Sequence, residues 1–248
     1  MSLGGKHALI TGGSRGIGLA IAEALAGAGA RVTILGRTEE SLRAAAERIG
    51  AGWTVADVTD GPALRTAVAA AGAIDILVNN AGGADSKPFK RLEESDLRRM
   101  LDLNLMSAFT ATQAVLPGMV ERGWGRVVNI ASTAGQKGYA YVAHYCAAKH
   151  AVIGLTRALA VEVAKSGVTV NAVCPGYADT DLLRDSVANV RAKTGLSEED
   201  ALARMLAAVP QGRAVAPAEV AAAVLWLCGP GSSGITGQSI GVNGGEVT

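Results

Sequence analysis

Seven short apolar runs recur along the chain, and stretches with helical periodicity separate them. The runs are HALIT (7–11), RVTIL (31–35), WTVAD (53–57), DILVN (75–79), RVVNIA (126–131), VTVNAV (168–173) and QSIGV (238–242). Helical patterns lie near 16–28, 38–49, 61–71, 95–122, 140–166 and 217–228. A strand that is apolar along its length, and not merely at every second residue, must be covered on both faces. Alternation of such strands with helices predicts an α/β fold, a doubly wound parallel sheet of seven strands with helices on both sides. No linker, repeat or shift in composition divides the chain, so one domain is expected over 1–248. Only 179–209 breaks the rhythm. It is charged and helical in composition, with no strand beside it, and is expected to be a small two-helix lid whose apolar face covers bound substrate. Its apolar residues Leu182, Leu183, Val187, Leu202, Met205 and Leu206 are spaced to give a helix face something to cover.

Charge and composition narrow the function classes. The 248 residues carry a net charge of +1 and no basic run, which speaks against a nucleic-acid partner. No apolar run reaches the ~18–20 residues of a membrane span, and no signal peptide is visible. The three cysteines, Cys146, Cys174 and Cys228, share no metal-ligand spacing. They read as reduced, buried thiols of a cytoplasmic protein, and no metal site is expected.

The first strand runs into TGGSRGIG (11–18) and then a helix. Glycines at 12, 16 and 18 permit a tight turn and close approach to a pyrophosphate, and the helix N-terminus offers free N–H groups. The context is that of a Rossmann-type dinucleotide site, although the spacing is Gly-x-x-x-Gly-x-Gly rather than Gly-x-Gly-x-x-Gly. An acid at the end of the second strand would select NAD(H) by binding the ribose 2′-hydroxyl. Here the chain reads Leu35-Gly36-Arg37-Thr38, and Arg37 offers a planar cation for a 2′-phosphate. Arg15 could approach from the other side. NADP(H) is therefore expected, with NAD(H) the alternative. Asp57 and Val58 could border the adenine. Asn79-Asn80-Ala81-Gly82 lies at a carboxyl strand end, where ligands bind in open α/β sheets.

Taken together these stretches resemble the short-chain dehydrogenase/reductase family. TGGSRGIG, the NNAG turn at 79–82, Asn104, Ser132, the pair Tyr145-x-x-x-Lys149 and Pro175-Gly176 occur in the family's order, and the resemblance runs from Lys6 to about Gly245. It implies a catalytic set of Asn104, Ser132, Tyr145 and Lys149. It implies cofactor contacts from Gly12, Ser14, Arg15, Gly16, Ile17, Gly18, Arg37, Asp57, Val58, Asn80, Ala81, Gly82, Ile130, Tyr145, Lys149, Pro175, Gly176 and Thr180. Thr180 matches a position where the family uses a hydroxyl to hold the nicotinamide carboxamide.

The chemistry of these residue types fits that implication. Residues four apart share one face of a helix. A phenol with a pKa of about 10 gives up its proton reluctantly at neutral pH, and a nearby ammonium favours the phenolate. Tyr145 can then act as general acid in carbonyl reduction and general base in alcohol oxidation. Ser132, closing the fifth strand, can orient the substrate oxygen. By resemblance, Lys149 also holds the nicotinamide ribose and Asn104 steadies a proton relay to it. Tyr139 and Tyr141 lack a lysine four residues on, and His144 and His150 read as surface or packing residues.

Within the family, NIASTAG (129–135), KHAVIGLTRALA (149–160), TVNAVCPG (169–176) and VPQGR (209–213) resemble β-ketoacyl thioester reductases and the ketoreductases of aromatic polyketide synthesis. That implies a 3-oxo group on an acyl chain carried by coenzyme A or acyl carrier protein, with Arg184, Arg191, Lys193 and Arg204 of the lid facing the carrier. A solvated face of mixed charge is the other reading of those cations. The alternatives are a dehydrogenase of cyclic or aromatic secondary alcohols or hydroxyacyl-CoA, and a non-catalytic nucleotide-binding subunit, against which the intact quartet speaks. The resemblance also implies a homotetramer built through 95–122, 140–166 and the C-terminal strand.

Overall fold

In the computed structural model, which describes residues 2–248, all seven strands are parallel and form one sheet in the order β3-β2-β1-β4-β5-β6-β7. They are β1 His7–Thr11, β2 Arg31–Gly36, β3 Gly52–Val55, β4 Ile76–Asn79, β5 Gly125–Ile130, β6 Val168–Pro175 and β7 Ser239–Val242. The chain winds outward from β1 to β3, then returns to place β4 on the other side of β1. This reversal opens a crevice at the carboxyl ends of β1 and β4, the position where open α/β sheets take ligands.

The period of two along each strand divides the core into two layers. Ala8, Ile10, Ile34, Val78 and Val128 point to one side, where α1 (Gly16–Gly27), α2 (Glu39–Ile49) and α9 (Pro217–Cys228) cover them. Leu9, Leu35, Leu77, Val127 and Val170 point to the other, beneath α3 (Gly61–Ala70), α5 (Ser107–Glu121) and α6 (Ala143–Glu162). A buried polar row crosses that second layer. Asn79 Nδ2 donates to Thr112 Oγ1 (2.9 Å) and to Asn129 Oδ1 (2.8 Å), and Asn129 Nδ2 donates to Thr156 Oγ1 (2.8 Å). Partners inside a dry core are costly to remove, so the row locks α5 and α6 onto β4 and β5.

Two segments depart from the sequence expectation. The single helix expected over 95–122 is α4 (Glu94–Leu101) and α5 joined by one π-helical turn, Asp102–Met106. The expected lid is two helices as read, α7 (Asp181–Thr194) and α8 (Glu198–Leu206), and departs only in its packing. Their apolar faces meet each other: Leu183, Val187 and Ala201 form a satellite core with Tyr177, Leu202 and Met205 against it. Leu206 is buried outside that cluster, and Leu182, 46% exposed, stands clear of it. No helix among the described residues is long and apolar enough to cross a membrane, and the three cysteines are unpaired and buried.

Candidate active site

The glycine loop is tied to the crevice from below. Gly12 N donates to Leu35 O (2.7 Å). Thr11 Oγ1 accepts from the N–H groups of Asn80 and Ala81 (both 3.0 Å), and Asn80 Nδ2 donates to the carbonyls of Thr11 (2.9 Å) and Gly12 (3.1 Å). The glycines are needed for that approach. A Cβ on Gly18 would stand 2.2 Å from Gly12 O and 2.5 Å from Asn80 Nδ2, and Gly12 has φ +66°. Gly16, with φ +55°, faces Thr180 across the crevice, where a Cβ would lie 3.3 Å from Thr180 Cγ2. No side chain caps α1, so its first N–H groups are free for an anion. A cradle of bare backbone at an uncapped helix start fits a pyrophosphate. Thr11 is the hub that sequence reasoning missed; a hydroxyl at the end of β1, directly before the glycines, was the available signal.

The remaining expected cofactor residues take varied places. Ser14 accepts from Ser41 Oγ (3.4 Å). Ile17 packs against the first core layer and Val58, 6% exposed, lies within the second. Arg15 faces Asp181 of α7 at 3.7 Å, linking the glycine loop to the two-helix segment. Arg37 follows β2 directly and is largely exposed, 3.9 Å from Asp57, and Asp57 accepts from Thr59 N (2.9 Å) and Thr59 Oγ1 (2.7 Å). Ile130 closes β5, Pro175 closes β6 with Gly176 after it, and Thr180 precedes α7 with its hydroxyl donating to Ala178 O (3.3 Å).

Helix α6 carries Tyr145 and Lys149 to the same crevice. Lys149 is 5% exposed. Its ammonium donates to Ile130 O at 2.8 Å and stands 5.8 Å from the Tyr145 ring centroid. Burial pulls its pKa down to about 8. Burial pushes the Tyr145 phenol above its ordinary value, and the Ser132 hydroxyl pulls it the other way. Desolvation is the leading cause, and the depression expected from Lys149 is not seen. Ser132 leads a short 3₁₀ turn, Thr133–Gly135, and its Oγ accepts from Ala134 N (3.1 Å).

Asn104 sits in the π-helical turn and is 3% exposed. Its Nδ2 donates to Gly83 O (3.0 Å) and Met100 O (3.1 Å), and its Oδ1 accepts from Gly83 N (3.3 Å). A Cβ on Gly82 would lie 2.7 Å from Asn104 Oδ1 and 3.5 Å from Lys149 Nζ. Gly82 thus leaves open the space that both polar ends face. The widened turn aims Asn104 at that space, which a regular helix would rotate away from.

A second polar cluster holds the loop after β4. Buried His144 pairs through Nε2 with Asp85, which also takes Arg99, and Lys87 Nζ meets Asp96 at 2.6 Å. Lys87 N donates to the carbonyl of Tyr141 (2.7 Å), a non-glycine residue held at φ +69°. His144 is thus a buried, paired side chain and not a surface one; His150 Nδ1 lies 2.9 Å from Cys146 O within its own helix. The cations of the two-helix segment are largely spoken for. Arg184 pairs with Asp179 and Asp181, Arg191 pairs with Glu198, and Lys193 reaches Ser86 at 3.4 Å.

Comparisons with known proteins agree with this geometry. A family model described as short chain dehydrogenase matches residues 6–191. The 3-oxoacyl-acyl-carrier-protein reductase FabG of Vibrio cholerae is 40% identical over 99% of this chain and 98% of its own length. The enzyme of that name from Salmonella typhimurium is 39% identical over the same shares. Among solved structures, a variant of actinorhodin polyketide ketoreductase crystallised with NADPH superposes with a TM-score of 0.93 at 40% identity, covering 97% of each chain.

Proposed function

The chain belongs to the short-chain dehydrogenase family and is an oxidoreductase, and from that premise we propose that it is an NADP(H)-dependent reductase of 3-oxoacyl thioesters. The observation that carries the reading is the convergence of Ser132, Tyr145, Lys149 and Asn104 on the crevice beside the glycine cradle. The FabG relatives and the NADPH-bound ketoreductase support the substrate class and the cofactor.

When bound, the nicotinamide supplies the hydride; the chain's own residues manage the oxygen and its proton. The bare loop from Gly12 to Gly18 and the uncapped α1 take the pyrophosphate, and Arg37 takes the 2′-phosphate. Ser132 Oγ donates a hydrogen bond to the ketone oxygen and fixes its direction. Tyr145 Oη, on that same oxygen, gives up its proton as the carbonyl carbon becomes tetrahedral. The raised phenol pKa makes Tyr145 a proton holder at neutral pH, which suits the reductive direction. Lys149, its ammonium 5.8 Å from the Tyr145 ring centroid, would hold the nicotinamide ribose and favours the phenolate left behind. Asn104 and Lys149 both face the gap at Gly82, through which a proton returns to Tyr145.

The acyl part lies toward α7 and α8, which serve as a lid, with Leu182 free to meet it. An acyl carrier protein is the proposed donor of substrate. Assembly as a homotetramer is proposed through α5 and α6, where Phe109, Val120 and Val161 stand exposed. The unpaired cysteines suit the reducing cytoplasm. The test is Tyr145→Phe, which keeps the ring and removes the proton donor. Turnover should fall ~10²–10⁴-fold while NADPH binding and melting temperature stay at the parent values. Near-normal turnover in that variant ends the assignment.

A further inference from the structure

The chain end reaches back into the site. After β7, Asn243 Oδ1 accepts from Gly245 N (3.0 Å) and Asn243 O accepts from Glu246 N (3.2 Å), which turns Glu246 inward. Its side chain is 1% exposed. Glu246 Oε1 lies 2.7 Å from the Tyr139 hydroxyl, and that hydroxyl lies 2.7 Å from Thr133 Oγ1. A phenol has one proton. A carboxylate can only accept, so Tyr139 donates to Glu246 and accepts from Thr133. Lys137 Nζ approaches both Glu246 Oε1 and the Glu246 carbonyl at 3.3 Å. Glu246 Oε2 has no partner and is buried against Gly176, where a Cβ would come within 3.1 Å of it.

Every partner of that carboxylate belongs to the segment that begins at Ser132. Thr133 opens the 3₁₀ turn, its carbonyl accepts from Gln136 N (2.9 Å) and Lys137 N (3.0 Å), and Tyr139 leads toward the start of α6. Burying a carboxylate is costly unless several donors meet it. The cost is met here by two donors drawn from one loop, so the loop's conformation and the carboxylate's burial depend on each other. Burial, and then the neighbouring carboxylate, push the Tyr139 phenol above its ordinary value, which keeps it a donor.

We propose that Glu246 is a positioning residue: through Tyr139 and Lys137 it fixes the Ser132 turn and so sets the direction in which the substrate carbonyl is held. This rests on the reading of Ser132 as the group that binds the ketone oxygen. Glu246 touches neither substrate nor cofactor; it acts through the turn. Loosening the turn should weaken orientation more than cofactor binding, and should let the ketone present its other face.

The probe is the N-acetylcysteamine thioester of acetoacetate, assayed with NADPH. The variants are Glu246→Leu, Glu246→Gln, Tyr139→Phe, the double Tyr139→Phe/Glu246→Leu, and Ser132→Ala in parallel. Glu246→Leu and Tyr139→Phe should each lower kcat/KM about tenfold, the equivalent of one hydrogen bond. Both should broaden the enantiomer ratio of the alcohol, with NADPH affinity within about twofold of the parent. The double variant should be no worse than the worse single one, because both break one link. Glu246→Gln keeps an acceptor for Tyr139 and should recover most of the loss. Parent-like kcat/KM and enantiomer ratio in Tyr139→Phe and Glu246→Leu, with Ser132→Ala impaired, overturn the inference and leave the reading of Ser132 standing. A parent-like Ser132→Ala removes that reading and the inference with it. Equal losses of turnover, NADPH affinity and melting temperature in Tyr139→Phe would mean a structural staple, and also overturn it.

Discussion

Arg37 stands at the end of β2 with its guanidinium largely in solvent and one carboxylate, Asp57, 3.9 Å away. An exposed pair at that distance contributes little, so a dianionic 2′-phosphate can displace Asp57 from it. Arg37→Asp should therefore cost NADPH one to two decades of affinity, the loss of a charge-assisted contact of about 1.5–3 kcal/mol, and should improve NADH. Fluorescence titration of both cofactors checks this, and an unchanged preference would move the selectivity to Arg15 or Ser14. Lys149 gives a pH signature. Burial brings its pKa down to about 8, so the ammonium is present below that value and lost above it. NADPH binding to the free protein should weaken as pH rises through about 8, because a charged donor binds more strongly than a neutral one. Lys149→Ala should bind more weakly and lose that limb; a parent with flat affinity from pH 7 to 9.5 would show that the ammonium plays no part. The Tyr145–Lys149 pair was legible because helical spacing is local. Tyr139 was passed over by the same test, having no lysine four residues on. Its partner Glu246 is 107 residues away, and no local pattern connects the two.

At the scale of elements, strands and most helices could be read to within one or two residues, because apolar period and glycine punctuation act locally. The turn at Asp102–Met106 could not. Nothing in the composition of DLNLM distinguishes a π-helical turn from an α-helical one. What distinguishes it is tertiary: Asn104 has the backbone of Gly83, in the loop after β4, to bond. The two-helix segment was legible as helices, but not its packing. Its apolar spacing fits a face laid over substrate, and the structure turns most of that face inward between α7 and α8. The segment thus has a small core of its own, joined to the body by exposed pairs such as Arg15–Asp181 and by the Lys193–Ser86 contact. Elements held this way open at low free-energy cost. Hydrogen exchange over 181–206 should be faster than in β1, β4 and β5 without ligand, and should slow when NADPH and substrate are both present. Protection equal to the central strands, and unchanged on binding, would make the segment a fixed wall.

For the whole molecule, the strand order places the switch point between β1 and β4, and the first motifs read from the sequence, TGGSRGIG and NNAG, lie on its two sides. α6 brings Tyr145 and Lys149 up to that crevice from the far half of the sheet, and the chain end closes it behind Ser132. In the proposed function, this crevice transfers hydride from NADPH to the 3-oxo group of an acyl thioester. The direct measurement is oxidation of NADPH and of NADH by the full chain against a panel of acetoacetyl-CoA, acetoacetyl-acyl carrier protein, cyclic ketones and keto sugar acids. Turnover is expected with the 3-oxoacyl thioesters, with at least tenfold higher kcat/KM for NADPH than for NADH, and that turnover should be lost in Tyr145→Phe. Turnover confined to cyclic ketones or keto sugar acids, or a preference for NADH, would contradict it.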